Sequence, residues 1–343
     1  MDRKPVLAIL LVALAPAATR PRYGGVLRVE VRGVFETPGP PTSGHGIPDL
    51  AGAFALARWE AGRRTIYDAN ENAPGGRPFV DTIEILMGRS LRDQSNDLEL
   101  GKADIVELGP AELRRQPAGR RVWSSAPVRL LVLVFGSRVE DVRIRQALAL
   151  AVDRSSIHAA LFQRMGEVSG ALLPQWLSGY AFVFPTAVDT ARARMLLAGV
   201  PAGARTLTLT TDDAALRPVA ERIALNARDA GLTLAIPPQS APAGENAVRL
   251  VEVRIGSADP GQALAGLASA LGLPQPLRGD SPEALLRAER ALIEGSRVIP
   301  LMHLPDVYGV SPRVKGGPGI TPLGEWRFEN LWLAESRAEG GRP

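Results

Sequence analysis

Histidines at positions 45, 158 and 303 are the only imidazoles in the chain, and their spacing offers no H-x-x-x-H pair or other set that would seat a metal. Nucleophilic chemistry has no better footing. The absence of cysteine removes thiolate catalysis, disulfides and sulfur-bound metals together. No G-x-S-x-G elbow, Walker loop or dinucleotide glycine fingerprint occurs, and Gly316-Gly317-Pro318-Gly319 is a turn cluster rather than a phosphate cradle. Without a nucleophile, base or metal the reading is a protein that is not an enzyme and carries no cofactor. Asp259 stands directly before Pro260, where an aspartate commonly starts a turn. Trp59, Trp326 and Trp332 read as core anchors, whereas Trp176, on a Pro174-Gln175-Trp176 loop, is kept as a ligand platform.

The elements that hold these positions are legible from periodicity. Ile144, Leu148, Ala151 and Val152 form one helical stripe. Asp153 is placed to cap a second helix carrying Ile157, Ala160, Leu161 and Met165, with Gly166 as its stop. Asp189 and Gly199 bracket a third. Residues 207–211 read as a strand, Asp212 or Asp213 as the cap of a helix with Leu216, Val219, Ile223, Ala224 and Ala227, and 232–236 as a second, parallel strand. Residues 248–255 are a third strand and 282–293 a helix.

At 343 residues, 45% hydrophobic and 22% charged, the chain can bury a large core and two lobes. Its pI near 9.8 raises nucleic acid as a partner. Lysine occurs only at 4, 102 and 315, the arginines are scattered among acids, and the net charge is +4. With no helix-turn-helix, zinc pattern or aromatic-basic interleaving, the expectation is a solvated basic surface and no nucleic acid. Arg3 and Lys4 precede an apolar run at 6–15 and small residues at 13–17, as in a secretory signal, and the run is too short to span a bilayer. No cysteine follows it for lipid attachment.

Segment 138–200 sets Asp141, Val142-Arg143-Ile144-Arg145-Gln146-Ala147-Leu148, Asp153-Arg154, Pro174, Trp176, Asp189, Ala193, Leu196 and Leu197 in one order. That order resembles the signature of extracytoplasmic solute-binding proteins of family 5, the dipeptide, oligopeptide and nickel group that feeds ABC importers. Upstream, Trp59, Gly62, Asn70, Gly76-Arg77-Pro78-Phe79, Asp81, Gly101 and Asp104-Ile105 are similar to the family's earlier blocks. Gly24-Gly25-Val26-Leu27-Arg28-Val29 looks like its mature start. Val298, Pro300, Leu301, Val310, Pro312, Val314, Gly316, Trp326 and Leu331 resemble its closing block.

The resemblance implies an α/β, two-lobed, periplasmic-binding-protein-like fold of type II. Its expected parts are a signal peptide (1–22), lobe I (23–137 and 302–343) and lobe II (138–301), with crossings near 135–138 and 299–303. Only TPGPPTSGHG follows the first strand, where the family inserts an extra subdomain, and residues 237–244 look like a linker, so a shortened member is expected. The implied function is capture of a peptide-like or other small solute by lobe closure, with delivery to an ABC permease. A monomeric, exported, periplasmic protein that is not a lipoprotein is expected. The family's G-W-x-x-D-Y region has its counterpart in Gly256-Ser257-Ala258-Asp259-Pro260. Gly256, Ser257 and Asp259 are therefore the ligand-binding candidates beside Trp176, with Asp259 pairing a cationic group. Ser257 stands where the tryptophan is expected, which removes a stacking wall. The alternative is a degenerate scaffold that keeps the fold and binds a protein partner instead of a solute.

Overall fold

The computed structural model describes residues 20–34, 50, 52–117, 119–180, 184–238, 246–277 and 281–334. The apolar run of the expected signal peptide, the Pro/Gly stretch at 37–46 and residues 239–244 of the expected linker lie outside the described residues. The strands are β1 (Val26–Glu30), β2 (Phe54–Glu60), β3 (Arg64–Ala69), β4 (Thr82–Leu86), β5 (Ile105–Glu107), β6 (Arg121–Phe135), β7 (Glu167–Val168), β8 (Thr206–Thr210), β9 (Thr233–Ala235), β10 (Ala247–Arg254) and β11 (Val298–Val310). A separate pair joins β12 (Val314–Lys315) to β13 (Trp332–Leu333). The helices are α1 (Leu91–Glu99), α2 (Pro110–Arg115), α3 (Val142–Ala151), α4 (Arg154–Leu161), α5 (Gln175–Ser178), α6 (Thr190–Leu197), α7 (Arg217–Asp229), α8 (Pro260–Ala270) and α9 (Pro282–Glu294). One sheet runs β2-β3-β4-β1-β5-β11-β6-β10-β8-β9, with β7 beside β11.

Strand β6 shows why the sheet is continuous. From Val128 to Phe135 it carries one charge, as a strand covered on both faces should. Leu131, Leu133 and Phe135 enter a core with Ile144, Leu148, Ile157, Leu197 and Ile223 from α3, α4, α6 and α7. Leu130 and Val132 point the other way, to Leu264, Leu267, Leu285 and Leu292 of α8 and α9. Truncating a residue such as Leu131, with no exposed surface, costs about 2–5 kcal/mol. At the other end of β6, Trp123 packs in a distinct core with Leu27, Ile83, Tyr308 and Phe328.

The chain therefore passes between cores inside β6, between Trp123 and Leu130, and inside β11, between Leu304 and Val307. These points differ from the implied crossings near 135–138 and 299–303, where Phe135, Ile299 and Met302 still lie in the core of Leu131 and Leu148. Register shifts between Leu304 and Pro305 and between Pro305 and Val307 interrupt the ladder. Pro305 supplies no amide hydrogen, so the ladder breaks where the chain changes cores.

The N-terminal strand and the C-terminal segment share one core. Val314, Ile320, Trp326, Phe328 and Leu331 pack with Leu27 and Val29, and Arg313 donates to the Val26 carbonyl at 2.9 Å. Buried Asp104 ties the same parts together, accepting from the Arg28 amide and pairing with Arg313, each at 2.9 Å. Asp153 and Asp189 cap α4 and α6 as their positions predict, and Asp141 caps α3 in the same way. Gly166 is not the stop of α4. The helix ends at Leu161, and Gly166, at φ 80°, instead lets the chain pass against the His303 carbonyl, where a Cβ would collide. Strands β8, β9 and β10 pair in parallel.

Candidate functional site

Strands β1 and β5 run toward the crevice from one half of the sheet, and β8 and β10 run toward it from the other. Ligands of open α/β sheets bind beyond such carboxyl ends. The residues placed there are Arg32 after β1, Glu107 on β5, Asp213 after β8, and Arg254 followed by the 255–259 loop after β10. Arg32 reaches Asp213 across the crevice at 3.1 Å.

The floor is a charged network on β6, β11 and the neighbouring β10. Arg129 of β6 meets Glu252 of β10 at 2.7 Å and Asp306 of β11 at 3.0 Å. Arg254 meets Asp306 at 2.6 Å and donates to the Leu323 carbonyl at 2.7 Å. Burial opposes the charge on Arg129, but Glu252 and Asp306 outweigh it and hold the guanidinium protonated, above its ordinary range. Sequence reasoning missed this network. Its signal was Asp306 inside an apolar strand and Glu252 and Arg254 alternating with valines.

Asp259 caps α8, its Oδ1 accepting from the Gln262 amide at 2.7 Å, while Ser257 Oγ accepts from the Asp259 amide at 3.0 Å. The Asp259 carboxylate is exposed, and Gly256 has open space where a Cβ would sit. The loop begins at Ile255, whose amide donates to the Val128 carbonyl at 2.7 Å. Trp176 donates its indole N–H to the neighbouring Pro127 carbonyl at 2.9 Å and leaves its ring 40% exposed. Trp176 and Ile255, the residue before the 256–259 candidates, are thus attached to consecutive carbonyls of β6.

The Trp176 loop is held by groups that sequence reasoning did not single out. Buried Glu289 accepts from the amides of Leu172 and Leu173 and from the Tyr180 hydroxyl. Burial raises its pKa, more than those three hydrogen bonds lower it. His303 Nε2 bonds the Leu172 carbonyl at 2.9 Å, and burial drops its pKa to about 4, which keeps the ring neutral. Glu167 accepts from the Gln175 amide at 2.9 Å.

Arg145 and Arg154 of the 141–154 block are structural. Arg145 donates to the carbonyls of Val139, Glu140 and, at the end of α9, Gly295. Arg154 donates to Pro300 on β11 and to Ala149, and burial without a carboxylate partner lowers its pKa to about 10. Among the described residues no group of three or more His, Asp or Glu is arranged to hold a metal ion. No helix among them is long and apolar enough to cross a membrane.

A sheet whose two halves share a pair of hinge strands, with strand ends facing across a crevice, defines a type II periplasmic-binding-protein fold. Solved structures agree. The oligopeptide-binding protein AppA from Bacillus subtilis, in complex with a nonapeptide, matches at TM-score 0.68 and 15% identity, over 83% of this chain and 67% of that one. The dipeptide-binding protein of Pseudoalteromonas sp. SM9913, in complex with Met-Leu, matches at TM-score 0.70 and 15% identity, over 82% and 64%. The chain belongs to the bacterial extracellular solute-binding proteins, family 5, whose model matches residues 11–258. Among curated relatives, a probable di/tripeptide-binding protein of Pseudomonas aeruginosa is 26% identical over 169 residues, 47% of this chain and 32% of that protein. The dipeptide-binding protein of Escherichia coli is 23% identical over 164 residues, 46% and 31%. The matches span about a third of the length of these curated relatives.

Proposed function

We propose that this chain is the extracytoplasmic solute-binding component of an ABC importer. It captures a peptide-like or other small solute by closing its two halves and delivers it to a membrane permease. The observation that carries the reading is the hinge: two long strands, β6 and β11, cross between separate cores at the level where Pro305 breaks their ladder. Lobe I then comprises the chain up to about residue 124 and from about 307, and lobe II the part between, which moves the boundaries from 137 and 302. The names of the relatives favour a peptide-like solute. Asp259 would take a cationic group with the carboxylate oxygen that the cap leaves over, Ser257 and Gly256 leave room beside it, and the Trp176 ring replaces the missing stacking wall. The protein works as an exported monomer, and needs neither cofactor nor nucleic acid.

One observation favours the second reading, a scaffold for a protein partner. Asp259 is already committed to capping α8, so the residue that would select a charged solute has a structural task without one. A thermal-shift screen with peptides, opines, sugars and metal chelates, followed by calorimetry on any hit, separates the two. Saturable binding of one solute at one site supports the importer component. No shift with any class, together with capture of a defined partner protein, would overturn it. Mass spectrometry of the secreted chain tests export, with intact Met1 in a cytoplasmic fraction as the contrary result.

A further inference from the structure

The crevice is spanned by the protein's own charges. Arg32 NH1 lies 3.1 Å from Asp213 Oδ2 and 3.4 Å from Oδ1, although 181 positions separate them. Both ends are held in place. The Arg32 amide donates to Glu107 Oε2 at 2.6 Å, at the end of β5. Asp213 Oδ1 accepts from the Ala215 amide at 2.8 Å, capping the turn that leads into α7. The side chains are 31% and 37% exposed, so water reaches the pair and its strength is that of a surface bridge. A weak bond at the outer end of a hinge is reversible.

A second contact joins the same two halves elsewhere. The Gln163 side chain donates to the Pro110 carbonyl at the start of α2. Gln163 and Arg164 stand at φ 55° and 63°, a left-handed conformation that costs non-glycine residues energy. Met165 packs against the cluster of Leu98, Ala103, Val106, Leu108 and Val307 in the opposite half.

We propose that Arg32 and Asp213 form a latch that lets the two halves close without a solute, so that binding stabilises a shape the chain already populates. The proposal rests on the hinge-closure reading above. It locates the bias toward closure in two residues that lie outside the 255–259 loop and outside the arginine-carboxylate floor.

The chain has no cysteine, so Leu100→Cys just after α1 and Met195→Cys on α6, both strongly exposed, give one spin-label pair across the crevice. Pulsed electron resonance on the labelled chain without solute reads the closed-to-open ratio. Arg32→Gln should lower it about two- to fivefold, the range of an exposed ion pair. Asp213→Asn keeps the cap, removes the charge and should do the same. The double variant should lose no more than either single change, because both remove one interaction. High salt should lower the ratio in the parent and leave Arg32→Gln unmoved. Two distances whose ratio ignores both substitutions and salt, or losses that add, would overturn the latch alone. A single unchanging distance in every variant, salt and solute would overturn closure and the latch together.

Discussion

Trp176 donates its indole N–H to the Pro127 carbonyl at 2.9 Å, where the strand partner opposite is Pro305, a residue with no amide hydrogen to give. The side chain of a loop thereby completes a backbone ladder that proline interrupts at the hinge. The rest of that loop is fastened by Glu289, Glu167 and His303, so the exposed indole face is presented on a rigid mount beside the 255–259 loop.

Trp176→Phe keeps an aromatic face, though a smaller one, and removes the donor. It should lower stability by about 1 kcal/mol, the net worth of a hydrogen bond whose acceptor water can reach. Urea unfolding followed by circular dichroism checks the figure. A loss above about 3 kcal/mol would mean that the indole carries packing beyond the bond.

Asp259 can be separated into cap and charge. Asp259→Ala should cost about 1 kcal/mol through the lost cap of α8. Asp259→Asn keeps the cap and should leave the melting temperature near that of the parent. If a cationic solute is held there, Asp259→Asn should still weaken its binding at least tenfold in calorimetry, since a charged partner is left unpaired. Equal affinities for the parent and the asparagine variant would leave Asp259 as a cap only.

Asp306 sits between Arg129 and Arg254 on the hinge strand. Asp306→Ala leaves two guanidinium groups short of a carboxylate and should cost about 3 kcal/mol. The same change should broaden the distance distribution across the crevice, because the network ties β6, β10 and β11 together. Calorimetric melting and the spin-label pair read the two effects independently.

Two buried groups should give opposing pH slopes. Burial, and then the Asp97 carboxylate, raise the Glu30 pKa from 4.5 to about 7, although Arg89 pulls the other way. The folded chain therefore holds the Glu30 proton longer than the unfolded chain, and stability falls as pH rises from about 4.5 to about 7. Burial lowers His303 from 6.5 to about 4, so stability falls as pH drops through that window. Each effect amounts to about 3 kcal/mol when fully expressed, and over their overlap they offset each other. Glu30→Gln should unmask a curve rising with pH, and His303→Gln one falling with pH, in unfolding series from pH 4 to pH 8. Parallel curves for the two variants would contradict both assignments.

Local and periodic features were legible in the chain itself. Asp153 and Asp189 announce helix starts because a short carboxylate before an apolar stripe satisfies free amides whatever surrounds it. The β8–α7–β9 unit and β10 follow from apolar periodicity in the same way. The ordered residues of the 141–197 block sufficed for the family, but Arg145 and Arg154 within it also hold the Gly295 and Pro300 carbonyls, which only the fold brings near. Tertiary structure decided the hinge and the site. Nothing near Leu304 marks it as a crossing point, since β11 is buried along its whole length, and the break appears only when Pro305 is set against Pro127. The stop of α4 moved from Gly166 to Leu161 because Gly166 is required for close passage past His303. Arg32 and Asp213, and likewise Arg129 and Asp306, are 177 or more positions apart. Charge pairs of that kind depend on which strand ends face each other, and that is set by the order of strands in the sheet, not by spacing along the chain.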